Sequence, residues 1–114
     1  MSEKPVITDD PLYQLLRHGK IDEFNTLKQG GEAVRLNGTD LRGLDLRGLD
    51  AGGIDLTNAY MRQTDLRGID LSTANLEGAS IHAAKISGVY FPHELDPEEI
   101  TLSLVHGTRL RYRR

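Results

Sequence analysis

From Val34 to His93 the sequence repeats every five residues without interruption, and no other feature of the chain restricts its fold so tightly. Written in fives it reads VRLNG, TDLRG, LDLRG, LDAGG, IDLTN, AYMRQ, TDLRG, IDLST, ANLEG, ASIHA, AKISG and VYFPH. The third slot holds Leu36, Leu41, Leu46, Ala51, Leu56, Met61, Leu66, Leu71, Leu76, Ile81, Ile86 and Phe91, and no charge falls there. The first slot is likewise uncharged, and every charged residue of the stretch occupies the second or fourth slot. Five matches neither the 3.6 period of a helix nor the 2 of a strand. The chain must run extended for a few residues and then turn a corner, again and again. Such a chain is a solenoid.

The fifth slot supports this reading. It holds Gly38, Gly43, Gly48, Gly53, Gly68, Gly78 and Gly88, with Asn58 as a substitute, and a corner needs positive φ or freedom from a Cβ clash. The stretch resembles the pentapeptide repeat family, whose pattern is Ala-Asp/Asn-Leu-x-x; Ala74-Asn75-Leu76-Glu77-Gly78 matches it outright. The resemblance covers about half the chain. It implies a mainly β fold, a right-handed quadrilateral β-helix with four pentapeptides per turn and about three coils here. It also implies that residues twenty apart stack in register, about 4.8 Å apart as neighbouring strands do.

Composition sets outer limits. With 114 residues, 38% of them apolar, the chain has room for one domain with a narrow, elongated core. Cysteine is absent, which removes disulfides and thiolate zinc sites and suits a reducing compartment. The first ten residues, MSEKPVITDD, lack the apolar run of a secretion signal, and no later stretch approaches membrane-spanning length. The expectation is a soluble cytoplasmic protein with no membrane partner. The net charge of −3 is spread over the chain, so no segment carries the bulk positive charge of a nucleic-acid binder.

The flanks read as caps. Residues 1–9 are polar and unpatterned, a flexible arm. Asp10-Pro11 starts a short helix with Leu12, Leu15 and Leu16 on one face, ended by Gly19; a second begins near Lys20 to Asp22, presents Ile21, Phe24 and Leu27, and stops at Gly30-Gly31. Helices this short need another surface to bury their apolar faces, and the open first turn of the coil offers one. After Phe91-Pro92-His93, Asp96-Pro97-Glu98-Glu99 is a helix start with a capping Asp and an acidic third position; Ile100, Leu104 and Val105 follow on one face up to His106-Gly107. The last seven residues, Thr108 to Arg114, alternate apolar and basic, as an edge strand or a disordered basic tail would. The domain map is thus an arm (1–9), a helical cap (10–31), twelve repeats (34–93), a capping helix (96–107) and a tail (108–114).

The outer slots are where a partner would make contact. Stacking at twenty puts Arg42 beneath Arg62 and Arg47 beneath Arg67, with the columns Asp40/Tyr60/Ser80, Asp45/Asp65/Lys85 and Asp50/Asp70/Tyr90 beside them. One reading is a self-neutralising surface lattice. The other offers Arg42, Arg47, Arg62 and Arg67 as guanidinium forks to a partner's carboxylates or phosphates, flanked by Tyr60 and Tyr90.

Catalytic and metal chemistry find little support. His18, His82, His93 and His106 have no ligand-like spacing, the glycines recur as corners and not as a phosphate loop, and Ser72 and Ser80 lack a base. Asp45 and Asp65 form a carboxylate pair without a cleft. No catalytic residue, metal or cofactor is expected. The expectation is a non-enzymatic interaction or scaffold module with an unidentified protein partner. Some members of the family resemble duplex DNA and protect or inhibit gyrase. They are strongly acidic along the rod, whereas these repeats carry seven acidic and six basic residues. Some relatives dimerise through a C-terminal helix, and the segment from Pro97 to His106 is open to two readings, a homodimer contact of that kind or only a cap.

Overall fold

The structure is a computed structural model that describes residues 4–113. Its three helices are α1 (Pro11–Arg17), α2 (Ile21–Gln29) and α3 (Pro97–His106). Between α2 and α3 the backbone coils, with a turn at the fourth and fifth slots of each repeat. Single-residue parallel bridges link Asp40 to Tyr60, Asp45 to Asp65, Asp55 to Asn75, Tyr60 to Ser80, Asp65 to Lys85 and Asp70 to Tyr90. Each bridge spans twenty residues, so four corners make one rung.

The backbone accounting of one repeat explains the period. The first-slot N–H closes the preceding corner on the carbonyl three residues back, as Leu44 does on Leu41 and Ile69 on Leu66. The second-slot N–H donates to the rung before it (Tyr60 to Thr39, Lys85 to Thr64). Those of the third and fifth slots donate to the rung after it (Leu41 to Tyr60, Gly43 to Arg62). Positive φ at the fifth slot is the mark of a type II turn, whose third residue favours glycine. The seven glycines adopt it, and so do Asn58, Gln63 and Ala83.

This corrects the mainly β expectation. The described residues contain no continuous strand, because two of every five residues are spent on a corner and the parallel bridges between rungs are each a single residue long. The side chains follow the pattern closely. Ten of the twelve third-slot residues are buried, and only Ile86 and Phe91, both in the last rung, are half-buried. Each buried leucine contributes roughly 1.5–3 kcal/mol. The two buried first-slot threonines return their hydroxyls to the backbone, Thr39 to Leu36 O at 2.6 Å and Thr64 to Leu41 O at 2.7 Å.

The first rung is covered by α1 and α2. Asp10 caps α1 by accepting from Tyr13 N, and Leu12, Tyr13, Leu16 and Phe24 enter the core. The Tyr13 hydroxyl donates to Asp40 O at 2.7 Å, and Asn25 both donates to Gly48 O and accepts from Asp50 N. Leu15 and Ile21 are half-buried, and Leu27 is exposed, so α2 anchors through Phe24 and not through its whole apolar stripe. Residues 1–3 of the expected flexible arm lie outside the described residues. Its remainder is not free: Val6 pairs with Thr39 in parallel, donating to Gly38 O and accepting from Asp40 N.

At the other end α3 crosses the last rung with Ser103 buried and Ile100 and Leu104 half-buried. Val105 points away and is exposed. Asp96 precedes α3 without a side-chain cap; its carboxylate pairs instead with Arg113, and Glu99 pairs with Arg111. The C-terminal segment is ordered through Arg113, against the disordered-tail alternative. Leu110 is buried and accepts from Gly78 N, and the Tyr112 hydroxyl accepts from Leu76 N.

Candidate functional site: the outer lattice and the last rung

The second-slot carboxylates have a structural task. In repeat after repeat the side chain of the second slot accepts the N–H of the fourth: Asp40 from Arg42, Asp45 from Arg47, Asp50 from Gly52, Asp55 from Thr57, Asp65 from Arg67, Asp70 from Ser72 and Asn75 from Glu77. An Asx turn of this kind satisfies the one amide of the corner that neither rung can reach. Where the fourth slot is arginine, the same carboxylate also takes the guanidinium in a two-point contact. Arg42 on Asp40, Arg47 on Asp45 and Arg67 on Asp65 all lie within 3.0 Å through Nε and Nη2.

This favours the lattice reading of the arginine columns. The forks of Arg42, Arg47 and Arg67 are turned onto their own repeats, and Arg47 also reaches Asp65 in the next rung at 3.4 Å. The bidentate arginine contact holds the carboxyls of Asp40, Asp45 and Asp65 below the usual range, Asp65 most of all, placed as it is between Arg67 and Arg47. The stacked Asp45 and Asp65 are therefore bridged by arginine. The signal was legible: an Asp two residues before an Arg, both in outward slots, puts the pair side by side. Arg62 alone of the four has Tyr60 where that Asp would stand and makes no carboxylate contact among the described residues. It lies against the end of α3, where a Cβ added to Gly107 would come within 3.3 Å of its Nη2.

The informative positions are those that give up the Asx turn. In the second slot Asp or Asn is replaced by Arg35, Tyr60, Ser80, Lys85 and Tyr90. Tyr60 is not the exposed aromatic expected of it: its ring is half-buried, Arg109 lies over it at 5.3 Å and donates to its hydroxyl at 2.8 Å. Ser80 is buried as well. Lys85 and Tyr90 remain in solvent, Tyr90 at 68% exposure, and Lys85 makes no ion pair among the described residues.

Both stand on the part of the last rung that the C-terminal segment does not cover. Leu76 N is met by the Tyr112 hydroxyl, Gly78 N by Leu110 O, Ile81 N by Ser103 Oγ and Ala83 N by Leu104 O. The amides of Ile86, Gly88 and Phe91 meet no acceptor among the described residues. Two sides of the rung are closed and two are open, which is why Ile86 and Phe91 are the only half-buried residues of their columns. On the closed side that carries Glu77 and Gly78, an open cleft of about 840 Å³ lies between α3 and the C-terminal segment, lined also by Leu102, Arg109 and Arg111. The described residues contain no group of three or more His, Cys, Asp or Glu placed to hold a metal ion, and no helix long and apolar enough to cross a membrane.

Comparison with curated proteins and with solved structures returned no match. The family model for pentapeptide repeats does match, in eight copies, over residues 32–63 and 54–91. Those are the residues that build the twenty-residue rungs and carry the Asx-turn lattice, and together they make up more than half of the chain. The chain belongs to the pentapeptide repeat family.

Proposed function

We propose that this chain is a non-enzymatic interaction module. Its coil would be the right-handed quadrilateral β-helix that family membership implies, and its working surface the exposed part of the last rung. One observation carries the reading. Asp or Asn in the second slot satisfies a corner amide wherever it occurs, yet this requirement is abandoned at Lys85 and Tyr90, in consecutive repeats, in solvent and next to an uncovered edge. Residues that forgo a local stabilising contact without gaining another inside the molecule mark a surface kept for something outside it. The arginine columns contribute rigidity, with their forks committed to the lattice; of that set Arg62 and Tyr90 are the residues left for a partner. The even charge of the rungs gives no support to a gyrase-directed DNA mimic, whose surface would be acidic throughout.

The test is a cross-linked capture from lysate of the source cells, comparing wild type with Lys85→Ser and Tyr90→Ser. Both variants replace exposed residues and should melt as wild type does. A protein held by the wild type and released by either variant supports the module and its location. Identical captures refute the location.

A further inference from the structure

The uncovered side of the last rung from Ala84 to Gly88 is more specific than an exposed patch. In the rungs below it, the same side pairs by a fixed rule. Lys85 N donates to Thr64 O, Leu66 N donates to Lys85 O and Gly68 N donates to Ser87 O. One rung further on, the groups that would repeat the rule are Ala84 O, Ile86 N and Gly88 N, and none has a partner among the described residues. An unpaired row of this kind is a template for another extended chain. The molecule already uses the device at its opposite end, where Val6 lies on the first rung in parallel and exchanges hydrogen bonds with Gly38 and Asp40.

Charge then says what kind of chain. On this side the ladder runs Asp45, Arg47, Asp65, Arg67, and Arg47 stands between the carboxylate of its own repeat and the second-slot carboxylate of the next rung. Arg47 therefore bridges Asp45 and Asp65, at 2.8 and 3.4 Å. Arg67 holds Asp65 at 2.7 Å, but the next second-slot residue is Lys85 and not an acid. The alternation ends on a cation without a counter-ion. An acidic side chain stacked on Lys85 would restore it.

We propose that this edge receives an extended segment of a partner protein with an acidic residue between a small apolar and a larger apolar one, added in parallel as a further rung. The proposal deepens the interaction-module reading and rests on it. Register follows from the rule above. The acid donates its N–H to Ala84 O, accepts from Ile86 N and sets its carboxylate over Lys85. The residue before it packs over Ala84, and the one after it over the half-buried Ile86. Backbone pairing supplies attachment, and the Lys85 contact supplies selectivity.

The probe is a fluorescein-labelled peptide with the core Ala-Asp-Leu-Thr-Gly, titrated with the full chain and followed by polarisation. We expect saturable binding below about 1 mM. It should weaken about tenfold when the peptide Asp is changed to Lys or the protein carries Lys85→Glu. It should recover when the two changes are combined, a rescue that misfolding of the variant could not produce. N-methylation of the peptide Asp amide, which removes the donor to Ala84 O and sets a methyl group against that edge, should abolish binding. Absence of saturation, indifference to the charge exchange, indifference to N-methylation, or light scattering showing that a second copy already covers the edge would each overturn the proposal. A capture that depends on Tyr90 or Lys85 while the peptide fails leaves the module standing and removes only the strand.

Discussion

Removing one oxygen atom, by Tyr112→Phe, tests how the C-terminal segment closes the coil. The Tyr112 hydroxyl accepts from Leu76 N at 2.8 Å and faces Ala74 O at 3.4 Å, and Leu76 is fully buried. Phenylalanine keeps the ring and its packing, so the change isolates the polar contact. Leaving a buried donor without an acceptor costs about 1–3 kcal/mol. Because Tyr112 itself is only half-buried, water can partly replace the hydroxyl, and the lower part of that range applies, about 1–2 kcal/mol. For 114 residues an unfolding entropy near 2.1 cal/mol/K per residue makes 1 kcal/mol equivalent to about 4 °C, so the melting midpoint should fall by about 4–8 °C. The assay is reversible thermal unfolding followed by circular dichroism, with amide exchange at Leu76 as a local reporter. Tyr90→Phe, at a fully solvated hydroxyl, is the control and should melt with the wild type. An unshifted midpoint for Tyr112→Phe together with unchanged exchange at Leu76 would refute the assignment of this hydroxyl as the acceptor that closes the first side of the last rung.

Two further perturbations follow from the same contacts. Ala83 holds a corner at φ 58°, a conformation costing a non-glycine residue roughly 1–2 kcal/mol. Ala83→Gly should therefore raise the unfolding free energy by about 0.5–1 kcal/mol, after the larger entropy of the unfolded glycine is subtracted, and with it the denaturant midpoint; a lowered midpoint would contradict the corner geometry. Stability should also decline at both extremes of pH. Arginine contacts depress the carboxyls of Asp40, Asp45 and Asp65, so the folded state keeps them ionised below the point at which the unfolded chain takes up protons. That stability is present above about pH 4 and is lost as pH falls. Burial raises the hydroxyls of Tyr13 and Tyr112, so above about pH 10 the unfolded chain releases protons that the folded one retains, and stability falls. A urea midpoint constant from pH 2 to 4 would count against the first, and one constant from pH 10 to 11 against the second.

The interior was readable in the sequence because its signal is repetitive: Leu36, Leu56 and Leu76 need only the period to be placed in one column. The helix starts at Pro11 and Pro97 were equally plain. The closures were not. Tyr13 meets Asp40, Asn25 meets Gly48 and Tyr112 meets Leu76 across separations of 23 to 36 residues that no period announces. For the same reason the ends of the chain are hard to read in the sequence. Val6 and the residues from Thr108 to Arg113 look unpatterned or merely basic, and their order comes from the open rungs on which they lie. The period places the arginine columns but leaves two roles open for them, a lattice and free forks, and the residue that bears on the choice is the aspartate two positions earlier. The exposed pair Lys85 and Tyr90 stood out only once that aspartate had a task, because a departure has meaning only against a known requirement.

Stacking at twenty residues also fixes the phase between the two ends. Tyr13 and Asn25 address particular sides of the first rung, and Ser103, Leu110 and Tyr112 address particular sides of the last. Loss or gain of a single pentapeptide would turn one cap a quarter revolution relative to the other and leave Ser103 above the wrong amides. Loss or gain of four together preserves every closure and every ladder. The length of a chain built this way is quantised: it lengthens or shortens by whole rungs, and the uncovered edge keeps its bearing at each step.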